Sequence, residues 1–424
     1  MMWREKLGEI RRVATGMGLQ VRETEFHEVC AEELYAVAAT RVPGMYHHWS
    51  FGRNYEIERA RHDQGRGTIY ELVVNLDPAQ AFLLDQNAAA EQVFVAAHVM
   101  GHVDLFGRNW FCQEQRLDLD RVLRAARPRF ADYEHEHGET AVEAVIDAAH
   151  MVMWHASPLT AAAPHPAEDA PPDPYRTLFP DRLQPADAAT ERFRRHRSQQ
   201  RRGIGERDLL RFLINQAPIE PWQRDVLNVV REVALYLLPQ TRVKILHEGW
   251  ASLWHRRILR ALHAFPVSDV QDARLHASVA GHPGGGANPY WLGLAVLEHL
   301  EREGVDVLNL VRGESDRSLL ERIDEKLVHD DPYLNDAATA LASQGDDPAG
   351  RAPWQRLRDT LVATLPALPE VEVAVQEWDM RRLELRAPVP VDEAYARTVL
   401  ASMAALWGGE AVLVTPTQEL KAAL

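Results

Sequence analysis

Only two cysteines, Cys30 and Cys112, occur in 424 residues. That excludes a disulfide scaffold and fits a reducing compartment. Apolar runs of bilayer length are absent, so no membrane span is expected. The opening MMWREKLGEIRRVATGMG carries charges throughout and lacks an apolar h-region, so an amphipathic helix rather than a signal peptide is expected there. A basic surplus is missing too: 47 Lys and Arg against 62 Asp and Glu leave a net charge of −15, the wrong sign for general nucleic-acid binding. Gly284–Gly286 invite a phosphate-cradle reading, but no GxxxxGK[ST] follows, so a flexible loop or lid is expected there. What is left is a cytoplasmic globular protein, its acidity serving solubility. With 46% hydrophobic and 26% charged residues it can bury a large core, in two or three domains.

What is plentiful is histidine, 19 in all. The stretch VFVAAHVMGHVDLFGRNWFC (Val93–Cys112) sets His98 and His102 four residues apart in an apolar run. On a helix that spacing stacks them on one face, where two imidazoles can share a metal ion as in HExxH metalloproteases. Val99 stands where that motif has its glutamate base. Two core histidines bonded to backbone carbonyls would show the same spacing. A second set, Glu143, Asp147 and His150, shares a face of a later helix, and Asp147-x-x-His150 matches the carboxylate-x-x-His pattern of di-metal bundles. A capped, solvated helix face would explain it equally.

Taken in order, residues 1–155 read as helices over Trp3–Met17 and Glu25–Ala39, an aromatic segment Tyr46–Phe51 folding inward, and a strand over Thr68–Pro78. The histidine helix follows, then helices over Leu119–Glu136 and Glu139–Trp154 broken at His137–Gly138. Residues 156–205 are a Pro/Ala-rich and then basic linker or excursion (ERFRRHRSQQRRG, Glu191–Gly203). Residues 206–345 are helical again. A helix opened by Pro221 is broken at Pro239–Gln240, and RVKILHEGWASLWHRRILRALHAF forms the next. There Glu248 and His255 lie two turns apart on one face, and a carboxylate buried beside Trp250 and Trp254 needs a cation or a histidine as partner. This part is expected to pack on 1–155 as one core. Residues 351–424 read as a small ββαβ module that docks or stabilises.

Five stretches, in order, carry a resemblance: HHWSFGRNYE, YELVVNLDPAQAFLLDQN, AHVMGHVDLF, PWQRDVLNVVREVALYLLPQTRVKILHEGWASLWH and NPYWLGLAVLEHLERE. Together they resemble the SpoVR family (stage V sporulation protein R and its relatives) over most of residues 40–330. His247 departs from it, standing where the family usually has asparagine before Glu-Gly-Trp-Ala, and Val103-Asp104 after His102 is also unusual. The resemblance implies a role in spore-cortex formation, cell-envelope or stress programmes, and partnership with a PrkA-like serine kinase and a von Willebrand A-like protein. It implies no particular reaction.

The arrangement His-x3-His followed far downstream by a helical Glu-Gly-Trp-Ala is similar to gluzincin peptidases. The expected fold is therefore α+β and predominantly helical, a zincin-like strand plus helices around a metal site. His98, His102 and Glu248 are the expected ligands of zinc, with an open position for water. His255 is the first candidate for the base that Val99 cannot be, His247 the next, with Glu143 and Asp147 behind. The expected activity is hydrolysis of a peptide or amide bond. Two other readings stand beside it: an oxidative di-metal centre, with iron, in which Glu143, Asp147 and His150 join the other ligands, and a non-catalytic assembly factor working with the kinase.

Overall fold

The computed structural model describes residues 2–63, 71–157, 205–262, 288–343, 345, 347, 349–365, 370–377 and 382–423. They belong to two compact units, Met1–Arg124 with Tyr236–Ala367, and Ala125–Leu235 with Leu368–Leu424. Most of the Pro/Ala-rich stretch, the basic run and the Gly284–Gly286 loop lie outside the described residues, as does Thr68–Tyr70 of the expected strand.

The first unit opens with α1 (Met2–Gly16), which buries Trp3, Ile10 and Ala14 along one face. The helix expected over Glu25–Ala39 is in fact a strand followed by a helix, β1 (Thr24–Val29) and α2 (Ala31–Thr40). β1 runs parallel to a strand over Ala79–Leu84, with Thr24 opposite Ala79 and Val29 opposite Leu84. The lateral partner decided the conformation, as is usual for short β-prone segments. Of the aromatic segment, Tyr46 is buried, but Trp49, which opens α3 (Trp49–Asp63), is 49% exposed. β2 (Glu71–Val74) turns through a cis Asp77–Pro78 bond into β3 (Ala79–Leu84), giving a mixed sheet of order β1-β3-β2.

β3 leads into α4 (Ala89–Arg108), the histidine helix, which is buried almost without interruption from Gln92 to Phe106. A helix apolar on every side belongs in the middle of a core. After α5 (Trp110–Gln113), α6 (Leu119–His137) and α7 (Glu139–Val152) meet at Gly138, whose φ of 91° suits glycine. Beyond the undescribed segment come α8 (Leu209–Gln216) and α9 (Pro221–Arg242). Pro239 does not break α9 as expected. So near the C-terminus a proline removes a single N–H donor, while Leu237 and Leu238 hold the turn in the core.

α10 (Lys244–Ala261) and α11 (Pro289–Arg302) complete the surroundings of α4, with α10 packed against both α4 and α11. Asn288 caps α11 through the backbone N–H of Tyr290, and Pro289 occupies the first turn, where its missing donor costs nothing. Short helices α12 (Val307–Leu310), α13 (Asp316–Leu320), α14 (Glu325–Asp330), α15 (Pro332–Ser343) and α16 (Pro353–Thr364) close this unit.

In the second unit, α7 and α8 accompany a four-stranded sheet of β4 (Glu372–Glu377), β5 (Arg382–Arg386), β6 (Glu410–Val414) and β7 (Glu419–Ala422), in that spatial order. β5 and β6 are parallel, joined by α17 (Glu393–Trp407). The module is thus ββαββ, one strand more than expected. β7 alternates polar and apolar residues but is only four residues long, too short for its periodicity to announce it. The protein is α+β and predominantly helical, and among the described residues no helix is long and apolar enough to cross a membrane.

Candidate metal centre

Three glycines decide how closely the helices approach. A Cβ on Gly101 would stand 2.6 Å from Ala251 Cα, and one on Gly249 would stand 2.4 Å from the carbonyl carbon of Gly293. Real Cβ atoms do not tolerate such distances, so backbone meets backbone at both crossings. Gly101 lies between His98 and His102, and Ala251 between Glu248 and His255. The closest approach of α4 to α10 is therefore also the place where these side chains meet. One turn further along α4, buried Asp104 accepts hydrogen bonds from Trp250 Nε1 (2.9 Å), Arg108 Nη2 (2.8 Å) and the backbone N–H of Gln20 (2.6 Å). A buried charge so fully satisfied ties α4 to α10 and to the chain after α1.

At the crossing, Glu248 Oε2 lies 3.6 Å from His98 Nε2 and 3.5 Å from His102 Nε2, and Glu71 Oε1, from the start of β2, lies 3.6 Å from His98 Nε2. Glu71, His98 and His102 each bring a donor atom within 4.8 Å of the other two. These spacings exceed a hydrogen bond. They are those of N and O ligands bound at about 2.0–2.2 Å to one tetrahedral ion, which stand roughly 3.3–3.6 Å apart. Among the described residues, His98 Nε2 and Glu248 Oε2 are buried with no hydrogen-bond partner, a costly state unless something else binds them. The donor set thus fits a divalent cation. The carboxylates retain side-chain exposures of 14% for Glu71 and 18% for Glu248, so the cluster reaches solvent on their side.

Burial shapes the protonation states. It pushes Glu71 up to about 7, with Glu248 adding to the rise and His98 opposing it. It holds His102 well below the usual imidazole range, helped by His247, His98 and His255, and lowers His247 to about 4. Tyr290, hydrogen-bonded to Glu248 and stacked on His98 at 5.9 Å, is held well above the ordinary phenol value, by burial first and then by Glu248 and Glu71. Each of these shifts favours a neutral group, and for the imidazoles a neutral ring is the ligating one.

The expected ligands His98, His102 and Glu248 are therefore brought together. His255 and His247 are close by but meet the other nitrogens: His255 Nδ1 is 2.9 Å from His98 Nδ1, and His247 Nε2 is 3.2 Å from His102 Nδ1. Glu143, Asp147 and His150 lie half-buried on α7, in the second unit and outside the group of Glu71, His98 and His102. Glu71 and Tyr290 escaped the sequence reading. A single acidic residue in the apolar run YELVV was the available signal for Glu71, whereas Tyr290 in NPYW carries none.

The chain spans less than two thirds of the length of a curated relative that it matches, the uncharacterized protein YcgB of Escherichia coli (strain K12). That protein is 29% identical over 329 residues, covering 70% of this chain and 62% of the relative. No solved structure matches. The family described as SpoVR like protein matches residues 3–329, well over half of the sequence and including every residue of the cluster, and the chain belongs to that family.

Proposed function

We propose that the cluster is the metal centre of a hydrolase acting on a peptide or amide bond. The observation that carries this is the pair of buried, unpartnered donors, His98 Nε2 and Glu248 Oε2, set at ligand rather than hydrogen-bond spacing. His98, His102 and Glu248 would hold the ion, Glu248 because its Oε2 faces both imidazoles. A divalent ion there, zinc in this reading, supplies Lewis acidity toward a water and a substrate carbonyl. Glu71 stands 3.6 Å from His98 Nε2 and within 4.8 Å of His102, a looser fit to the pair than that of Glu248, and we assign it the base that Val99 cannot provide, taking the proton of the attacking water on its carboxylate and passing it to the leaving amine. Tyr290 holds the Glu248 carboxylate through its hydroxyl. A strand carrying the base and two helices carrying the ligands would make the arrangement zincin-like in function.

The test is elemental analysis of protein purified without a metal-affinity tag, with peptide and amide hydrolysis assayed in parallel. About one zinc per chain is expected in the wild type and in Glu71→Gln, the latter inactive, and none in Glu248→Ala. Zinc lost from Glu71→Gln would make Glu71 a ligand instead of a base. Two histidines and a carboxylate are also the ligand set of non-heme iron oxygenases. Iron in place of zinc would therefore move the proposal to oxidative chemistry, and a metal-free wild type would leave an assembly role. Action in the cytoplasm is a proposal resting on the two cysteines and the lack of an apolar span, and a place within a sporulation, envelope or stress programme, beside a PrkA-like kinase and a von Willebrand A-like protein, is a proposal resting on the family resemblance. Co-purification with those two proteins tests it.

A further inference from the structure

We propose that His255 and His247 are positioning residues, which set the tautomer and ring orientation of His98 and His102 so that both Nε2 lone pairs face Glu248. The inference rests on the metal reading above. The pattern behind it is a ladder on α4, Phe94, His98, His102 and Phe106, each four residues from the next and so on one face. The two α10 histidines slot into its two ends. His255 packs on Phe94 with centroids 4.2 Å apart and meets His98 Nδ1, while His247 packs on Phe106 at 4.6 Å and meets His102 Nδ1. Each ligand histidine is thus backed by an imidazole that is itself held against a phenylalanine.

A nitrogen–nitrogen contact of 2.9 or 3.2 Å holds one proton. Were it carried by the α10 partner, His98 and His102 would each bear their own proton on Nε2. Those N–H groups would face carboxylate oxygens at 3.5–3.6 Å, beyond hydrogen-bond reach although an N–H donor aimed at a carboxylate would close such a gap. The geometry instead suits Nδ1–H groups donated to His255 Nδ1 and His247 Nε2, with bare Nε2 atoms on the cluster side. The second nitrogen of a ligating histidine normally donates to such a partner, and loss of that partner weakens metal affinity by about 10–100-fold.

Two measurements test this. In metal-free wild type labelled with 15N-histidine, nitrogen shifts should report His98 and His102 as Nδ1–H tautomers; Nε2–H tautomers would overturn the proposal. Zinc affinity, by chelator competition on protein with wild-type circular dichroism, should fall about 10–100-fold in His255→Ala and in His247→Ala. It should recover in His255→Asn and His247→Gln, whose amide oxygens reach the positions of the lost ring nitrogens. Affinity unchanged in both alanine variants would overturn the proposal, and so would equal losses in the amide variants, which would mark a merely structural role. A wild type that binds no zinc would defeat the metal reading, while the tautomer measurement on that same protein would still decide this one.

Discussion

α4 and α7 carry equally suggestive spacings, and the structure treats them differently. On α4, His98 and His102 are buried, and a second and a third chain segment deliver Glu71 and Glu248 to the same point. On α7, Glu143, Asp147 and His150 share a face that is only half-buried, while Val142, Val145, Ile146 and Ala149 supply the core. Spacing along one helix places two donors at most usefully. The remaining ligands come from elsewhere in the chain, and only desolvation makes it costly to leave the donors without a cation.

The largest effect that separates the two helices is in metal content. His102→Ala should lose the bound ion entirely, and the triple variant Glu143→Ala/Asp147→Ala/His150→Ala should keep it, both read by elemental analysis. Metal released by the triple variant would break the comparison. Next comes stability. Asp104→Ala strands buried Arg108 and frees Trp250 Nε1, so chemical denaturation should show a loss of about 3–5 kcal/mol.

A smaller effect concerns His155, just after α7, which burial lowers from 6.5 to about 4 and whose Nε2 lies 3.1 Å from the Tyr395 hydroxyl. The unfolded chain takes up this proton first. The contribution to stability is therefore complete above pH 6.5, declines as pH falls, and levels off below about 4, a total of roughly 3 kcal/mol. The difference in stability between wild type and His155→Gln, measured from pH 7 to pH 4, should show that slope; a flat difference would mean that His155 is not held neutral. The smallest effect is Glu143→Ala, within about 0.5 kcal/mol of wild type in the same denaturation experiment. A larger loss there would show that α7's polar face is not the ordinary solvated one.

Much of this was legible in the residues. The helical character, the paired histidines and the carboxylate beside two tryptophans all show as periodicity, and Asn288–Pro289 is a capping signal that α11 obeys. β1 was not legible, because EFHEV suits helix or strand until β3 pairs with it. Pro239 read as a break because local rules weigh a missing donor and not the packing of Leu237 and Leu238. His255 and His247 were visible as neighbours of the site, but which ring nitrogen each meets depends on how α10 crosses α4.

The sequence by itself determined the family, the predominantly helical character and the choice of His98, His102 and Glu248 as candidates, since those follow from local periodicity and from motifs read in order. Only the tertiary structure decided that Glu71 joins them, that the α7 set belongs to another unit, and which side of each imidazole faces a carboxylate. The reason is that the meeting of α4's imidazoles with Glu248, His247 and His255 depends on backbone approaching backbone at Gly101–Ala251, and that of α10 with the helix of Tyr290 on Gly249–Gly293. Such contacts join residues far apart in the chain and leave no periodic trace along it.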